Sequence, residues 1–198
     1  MHFLVVQDYK ENRRKCTLTA LQGRDDVSFL RLRHPSRAST GVRLGPGILL
    51  HMDGAPLRIQ DRPLLDGGRL MVLDATWARA PVVLRRLENP ARGEWVLRSL
   101  PRDIVTAYPR VSKVREDPPG GLASVEALFA ATALLGEPFP ALLADYRWAK
   151  EFLSRNASAF RRLCPEFFHL MRRGGLSFLE AENPGCHGTL LVAFGREG

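Results

Sequence analysis

Short apolar runs, punctuated by turn residues, alternate along this chain with segments of helical spacing. Residues 3–6 ("FLVV") read as a first strand, and the polar stretch after them leads into a short helix near Thr17. Residues 27–32 alternate and predict a second strand. Residues 47–52 form another apolar run, closed by the turn signal "DGAP". Residues 69–74 predict a buried strand that ends in a carboxylate, Asp74, at the edge of a sheet. Thr76 and Trp77 follow at once, and 78–87 reads as a helix that tolerates Pro81 in its first turn. Residues 104–106 predict a short strand ahead of a long basic loop over 108–121, long enough to be functional. Apolar residues at 122, 125, 128, 129 and 135 predict an amphipathic helix stopped by Gly136. Residues 139–156 and 159–172 predict two more helices, and the tail predicts a terminal hairpin. Strands alternating with helices give an α/β sheet with short linkers and no internal repeat.

Composition narrows this picture. The chain has 198 residues, 45% of them hydrophobic, which is enough for one full core. No apolar run approaches the roughly 20 residues that a membrane span needs. The N-terminus lacks a basic region and a cleavage site, so a cytoplasmic protein with no membrane association is expected. Three cysteines (16, 164 and 186) and five histidines (2, 34, 51, 169 and 187) are scattered without a Cys-x-x-Cys pair, so neither a metal site nor a disulfide framework is expected. The net charge of +8 favours polyanionic partners, nucleic acid above all, although an arginine-rich composition would give the same excess.

Four stretches carry a resemblance. They are "RRKCT" (13–17), "LDATWARA" (73–80), "RSLPRDIVTAYP" (98–109) with "GLASVEAL" (121–128), and "DYRWAKEFLSRN" (145–156). In this order they resemble the ribosomal RNA aminocarboxypropyltransferases of ribosome biogenesis. That family has a Lys-Cys-Thr start, an Asp-x-Ser/Thr-Trp-Ala strand end, a Leu-Pro then Pro loop, a Leu-Ser-x-Val-Glu-Ala helix start and a Trp-x-x-x-Phe-Leu-x-x-Asn helix. "DATW" is also similar to the Asp-Thr-Trp signature of the sister group that modifies transfer RNA uridines. The cysteine-rich N-terminal segment usual in that group is absent here.

The resemblance implies an α/β fold of the SPOUT type, a knotted sheet with flanking helices and a helical C-terminal part. Residues 1–156 would form the S-adenosylmethionine-binding transferase domain, and 157–198 an extension of unknown role. The implied reaction moves the 3-amino-3-carboxypropyl group to N3 of a uridine or pseudouridine and releases methylthioadenosine. The protein is expected to act as a monomer on ribosomal RNA or a pre-ribosomal particle.

A sulfonium has three carbons open to attack, so such an enzyme must present one of them and hide the others. By resemblance Trp77 and Ala80 surround the methyl group, and an indole face suits the cation. Thr17 and Ser124, expected at helix starts, would bind the arm's carboxylate. The backbone of Leu73 would take the ribose hydroxyls, and adenine would lie among Leu50, Leu100, Leu122 and Ala127. Asp74 is expected to orient the uracil N3–H, either alone or while also acting as its base, because a carboxylate holding the sulfonium would stabilise a charge that disappears during transfer. Arg13, Arg14, Lys15, Arg102, Arg110, Lys113 and Arg115 would form a basic rim for RNA.

Two positions depart from the family. Gly120 stands where an aromatic is usual, and His51 follows Leu50 where many relatives have proline. Three other readings are compatible with the residues: transfer to a transfer RNA uridine, a non-catalytic RNA-binding assembly factor, and an ordinary methyltransferase on the same fold.

Overall fold

The computed structural model describes residues 1–11, 16–34, 36, 41–88, 94–109, 118–167, 169, 176–180 and 190–194. Its centre is a five-stranded parallel sheet of β1 (His2–Gln7), β2 (Val27–Arg31), β3 (Gly47–Pro56), β4 (Arg69–Asp74) and β5 (Trp95–Ser99), in the order β2-β1-β4-β3-β5. Parallel strands need covering on both faces, and the period of two sorts their side chains accordingly. Phe3, Val5, Ile48, Leu50, Leu70 and Val72 face one apolar cluster. Leu4, Val6, Leu49 and Met71 face the other.

Among the described residues four helices flank the sheet: α1 (Ala80–Leu84), α2 (Ser124–Leu134), α3 (Ala149–Arg155) and α4 (Ala157–Leu163). α1 contributes Val83 to the second cluster. α2, α3 and α4 fill the first, where Phe129 lies edge-on to Phe152, Phe160 and Phe167 with ring centroids 6.2, 5.9 and 6.2 Å away. α4, which falls in the segment expected as a C-terminal extension, thus shares the main core through Phe160. Two further strands, β6 (Leu176–Glu180) and β7 (Leu190–Phe194), pair antiparallel as the expected terminal hairpin.

Several elements differ from expectation, each for a physical reason. α2 is not amphipathic: Ala130, Ala131 and Ala133 are as buried as Leu128 and Phe129, so the helix is enclosed nearly all round. Residues 104–106 are not a strand. Asn156 bonds both backbone groups of Val105 (N–H to Oδ1 2.7 Å, Nδ2 to carbonyl 2.8 Å), so side chains replace the ladder. The fifth strand is Trp95–Ser99, ahead of that stretch. The helix expected over 139–156 is a short 3₁₀ turn at Pro140–Leu142 and then α3. The last expected helix is interrupted after Leu163, since the residue before Pro165 is steered away from helical backbone, and Phe167 and His169 are helical again. Near Thr17 only a three-residue 3₁₀ turn forms, Thr19–Leu21.

Among the described residues, no helix is long and apolar enough to cross a membrane. Also among them, no group of three or more His, Cys, Asp or Glu could hold a metal ion.

Candidate functional site

Parallel strands end together, so the loops that follow their carboxyl ends converge on one edge of the sheet. Here the ends of β3 and β4, the segment after β5 and the start of α2 enclose a cavity of about 600 Å³. Leu50, Leu73, Asp74, Trp77 and Ala80 line it from β3, from β4 and from the turn that leads into α1. Leu100, Leu122, Ser124 and Ala127 line it from the later segments, and Thr17 from the loop after β1. Ten residues singled out across 17–127 therefore meet at one place. Arg102 is also on the wall and is exposed. Arg13, Arg14, Lys15, Arg110, Lys113 and Arg115 lie outside the described residues.

β3 shapes one wall by an irregularity. Leu50 and Ala55 both stand opposite Arg98 of β5, so the residues between them bulge, and His51 and Met52 line the cavity. The chain returns at Gly54, where a Cβ would come within 2.6 Å of the Arg98 backbone.

Trp77 is 37% exposed, so it is not an ordinary core residue. Its indole lies against Gly121, where a Cβ would sit 2.9 Å from the ring. The glycine thus lets an aromatic plane stand in the wall of the cavity. Leu73 turns its side chain toward the cluster on the far face of the sheet, which leaves its backbone to face the cavity.

Asp74 is the polar centre. It is 5% exposed, and three side chains donate to its carboxylate: Gln7 Nε2 to Oδ2 at 3.0 Å, Cys16 Sγ to Oδ2 at 3.0 Å and Ser124 Oγ to Oδ1 at 3.2 Å. Ser124 opens α2, after Ala123 as the cap. Its one hydroxyl proton can go to Asp74 or to a bound carboxylate, so the two sites are chemically linked. Thr17 lies in a turn two residues before the 3₁₀ helix rather than at a helix start, which corrects the expectation for it.

Burial, and then the Asp74 charge beside it, push the Cys16 thiol up to about 12. Cys16 is therefore a neutral hydrogen-bond donor and a poor nucleophile. Alkylation at mildly alkaline pH, followed by peptide mass analysis, is expected to spare Cys16 in the folded protein. Asp74→Asn removes the neighbouring charge and is expected to speed Cys16 labelling about 10-fold. Equal rates in both proteins would mean that the thiol and the carboxylate are not paired.

A second buried carboxylate braces the site. Glu126 is fully buried at the third position of α2. Its Oε1 accepts from the Ala107 N–H and Tyr146 Oη, both at 2.9 Å. Its Oε2 accepts from Thr106 Oγ1 at 2.6 Å and the Ala123 N–H at 2.9 Å. The helix start thereby holds the segment whose Thr106 and Tyr108 line the cavity. Burial, and then the charge of Glu126, push the Tyr146 hydroxyl well above its usual range.

Gln7, Cys16 and Glu126 were given no role from sequence. The latter two lie inside the motif stretches, so the only signal was their place in those motifs. Gln7 carried a weaker one, a polar residue ending an apolar strand.

No protein-family model matches this chain, and no curated protein matches it. Among solved structures the chain is similar to the SAM-dependent rRNA:acp-transferase Tsr3 from Vulcanisaeta distributa, with 21% identity over 83% of each chain and a TM-score of 0.60. Backbone likeness at that level, with so little identity, fixes architecture: this chain has the α/β fold of that protein.

Proposed function

We propose that this protein transfers the 3-amino-3-carboxypropyl group of S-adenosylmethionine to N3 of a uridine or pseudouridine in ribosomal RNA. The observation that carries this reading is the convergence of ten residues chosen by resemblance on one cavity, in a chain with the fold of an rRNA:acp-transferase. The cavity volume falls within the about 300–1,000 Å³ usual for ligand sites. Its chemistry also suits the ligand. Leu50, Leu100, Leu122 and Ala127 offer an apolar slot for adenine, and Trp77 an aromatic plane beside a sulfonium. Thr17 and Ser124 offer hydroxyls, and the opening turn of α2 its N–H groups, for the arm's carboxylate.

S-adenosylmethionine supplies an electrophilic carbon; as the uracil N3 electron pair forms the new bond, the carbon–sulfur pair returns to sulfur and methylthioadenosine leaves. Trp77 and Ala80 enclose the methyl group, so only the arm's γ-carbon faces the nucleobase. Asp74 accepts a hydrogen bond from N3–H, orients the ring and takes the proton. Ser124 divides its hydroxyl between Asp74 and the arm, which ties correct seating of the arm to the posture of the carboxylate. Arg102 and the basic residues at 13–15, 110, 113 and 115 supply the electrostatic attraction for RNA.

The SPOUT knot belongs to the same proposal. It is supported by the strand order β2-β1-β4-β3-β5 and by Leu100, Arg102 and Leu122 lining the same cavity as the ends of β3 and β4. Kinship with the transfer RNA branch is supported by residues 74–77 alone.

Incubation with S-adenosylmethionine labelled in the carboxypropyl arm and with total cellular RNA is expected to label ribosomal RNA and release methylthioadenosine. Release of S-adenosylhomocysteine would identify a methyltransferase instead. Label in the transfer RNA pool alone would move the substrate to the sister reaction. No by-product of either kind, together with RNA binding, would leave an assembly factor.

A further inference from the structure

Gln7 does not line the cavity, yet it reaches the cavity's carboxylate from behind. It ends β1, it is 2% exposed, and the parallel register sets it directly beside Asp74. Its Nε2 donates to Asp74 Oδ2 at 3.0 Å. On its other side Arg31 Nη1 donates to Gln7 Oε1 at 3.0 Å. Arg31 is itself held by the carbonyls of Tyr9 (2.9 Å) and Glu11 (3.3 Å) through Nη2.

The chemistry of these groups leaves one consistent orientation. A guanidinium only donates, so the amide must turn its oxygen toward Arg31. The amide nitrogen then faces Asp74, and it too only donates. Asp74 is thereby required to be an acceptor at Oδ2, with its second oxygen left for Ser124 and the cavity. The polarity of a permanently charged arginine at the sheet surface is passed through one amide to the carboxylate in the cavity wall. A buried glutamine that merely satisfied itself at a strand end would need no such alignment.

We propose that Gln7, oriented by Arg31, is a positioning residue that holds Asp74 as an acceptor aimed at the nucleobase N3–H. This inference rests on the function proposed above and deepens its site. Among the described residues, the other titratable and charged groups near the pair are Cys16 on Asp74, Glu11 near Cys16, and the Asp8–Arg79 ion pair at the next residue after β1. None of these stands between Gln7 and Asp74.

Gln7→Glu tests the inference because it keeps the shape and reverses the polarity. Two adjoining carboxylates cannot both ionise freely, so the pair takes up a proton. Arg31 favours the charge on position 7, so the proton goes to Asp74, which then cannot take the N3 proton at neutral pH. As pH rises that proton leaves and the base returns. The kcat of Gln7→Glu is therefore expected to fall about 10- to 100-fold at neutral pH and to recover as pH rises, a limb absent from wild type. Infrared difference spectra of Gln7→Glu should show a protonated-carboxyl band at neutral pH that disappears in the Gln7→Glu, Asp74→Asn double variant. Gln7→Leu should lower kcat at every pH without creating the limb, and S-adenosylmethionine affinity by calorimetry should stay within about threefold in all variants.

A Gln7→Glu profile that overlays wild type, with no carboxyl band, would overturn the inference. So would a Gln7→Leu enzyme of unchanged kcat. Wild-type protein that labels no RNA would defeat the proposed function instead, while the infrared band would still report whether Gln7 governs the protonation of Asp74.

Discussion

Asp74→Asn is expected to lower kcat for transfer by about two to four orders of magnitude and to leave the fold in place. Asparagine has nearly the same shape. Its oxygen can stand at the Oδ2 position and accept from Gln7 and Cys16 as the carboxylate does. Its amide nitrogen then faces Ser124 Oγ, a hydroxyl that can rotate from donor to acceptor. Stability should therefore change by less than about 1 kcal/mol. What asparagine cannot do is take a proton from N3. Cofactor affinity should stay within about threefold, because the proposed site gives the sulfonium to an indole and the arm to hydroxyls and N–H groups. Single-turnover kinetics with calorimetry check both halves. Full turnover with weakened cofactor binding would mean that Asp74 holds the cofactor and is not the base.

The largest effect on stability is expected at Glu126, and there the conservative change is no refuge. Each of its oxygens accepts from one hydroxyl and one backbone N–H. Hydroxyls can turn round; the Ala107 and Ala123 N–H groups cannot. Whichever way a glutamine is placed, its NH₂ meets a backbone donor, so Glu126→Gln is expected to cost about 2–3 kcal/mol. Glu126→Ala leaves all four donors without that partner in a fully buried site, and a loss of about 4 kcal/mol is expected. For a chain of this size that corresponds to roughly 8–16 °C in Tm. Denaturant titration measures it, and a loss under about 1 kcal/mol for Glu126→Ala would show that the four bonds do not brace the cavity wall.

The contrast between these two carboxylates shows why a motif is not yet a site. Both lie in stretches chosen from sequence, and both are buried beside the same cavity. Asp74 was legible as a candidate because it ends an apolar strand and is followed by a hydroxyl and an indole. Glu126 was not, because its partners come from residues 106, 107, 123 and 146, and only folding brings them to one point. Trp77 shows a similar limit. Its position after a strand was readable, but its place on the cavity wall depends on Gly121, forty-four positions later.

Local periodicity determined a good deal: the strand at 69–74, the apolar run of β1, and the placing of an acid at a sheet edge. These follow from burial acting on neighbours along the chain, which any local pattern records. Tertiary structure alone decided that 104–106 would be held by side chains and that 95–99 would form the fifth strand. It also decided that α2 would be enclosed on every side, and that Gln7 would stand in register beside Asp74. The reason is that hydrogen-bond partners across a sheet are chosen by strand order and register. Those depend on how distant segments cross, and a donor in one segment carries no mark of the acceptor it will meet in another.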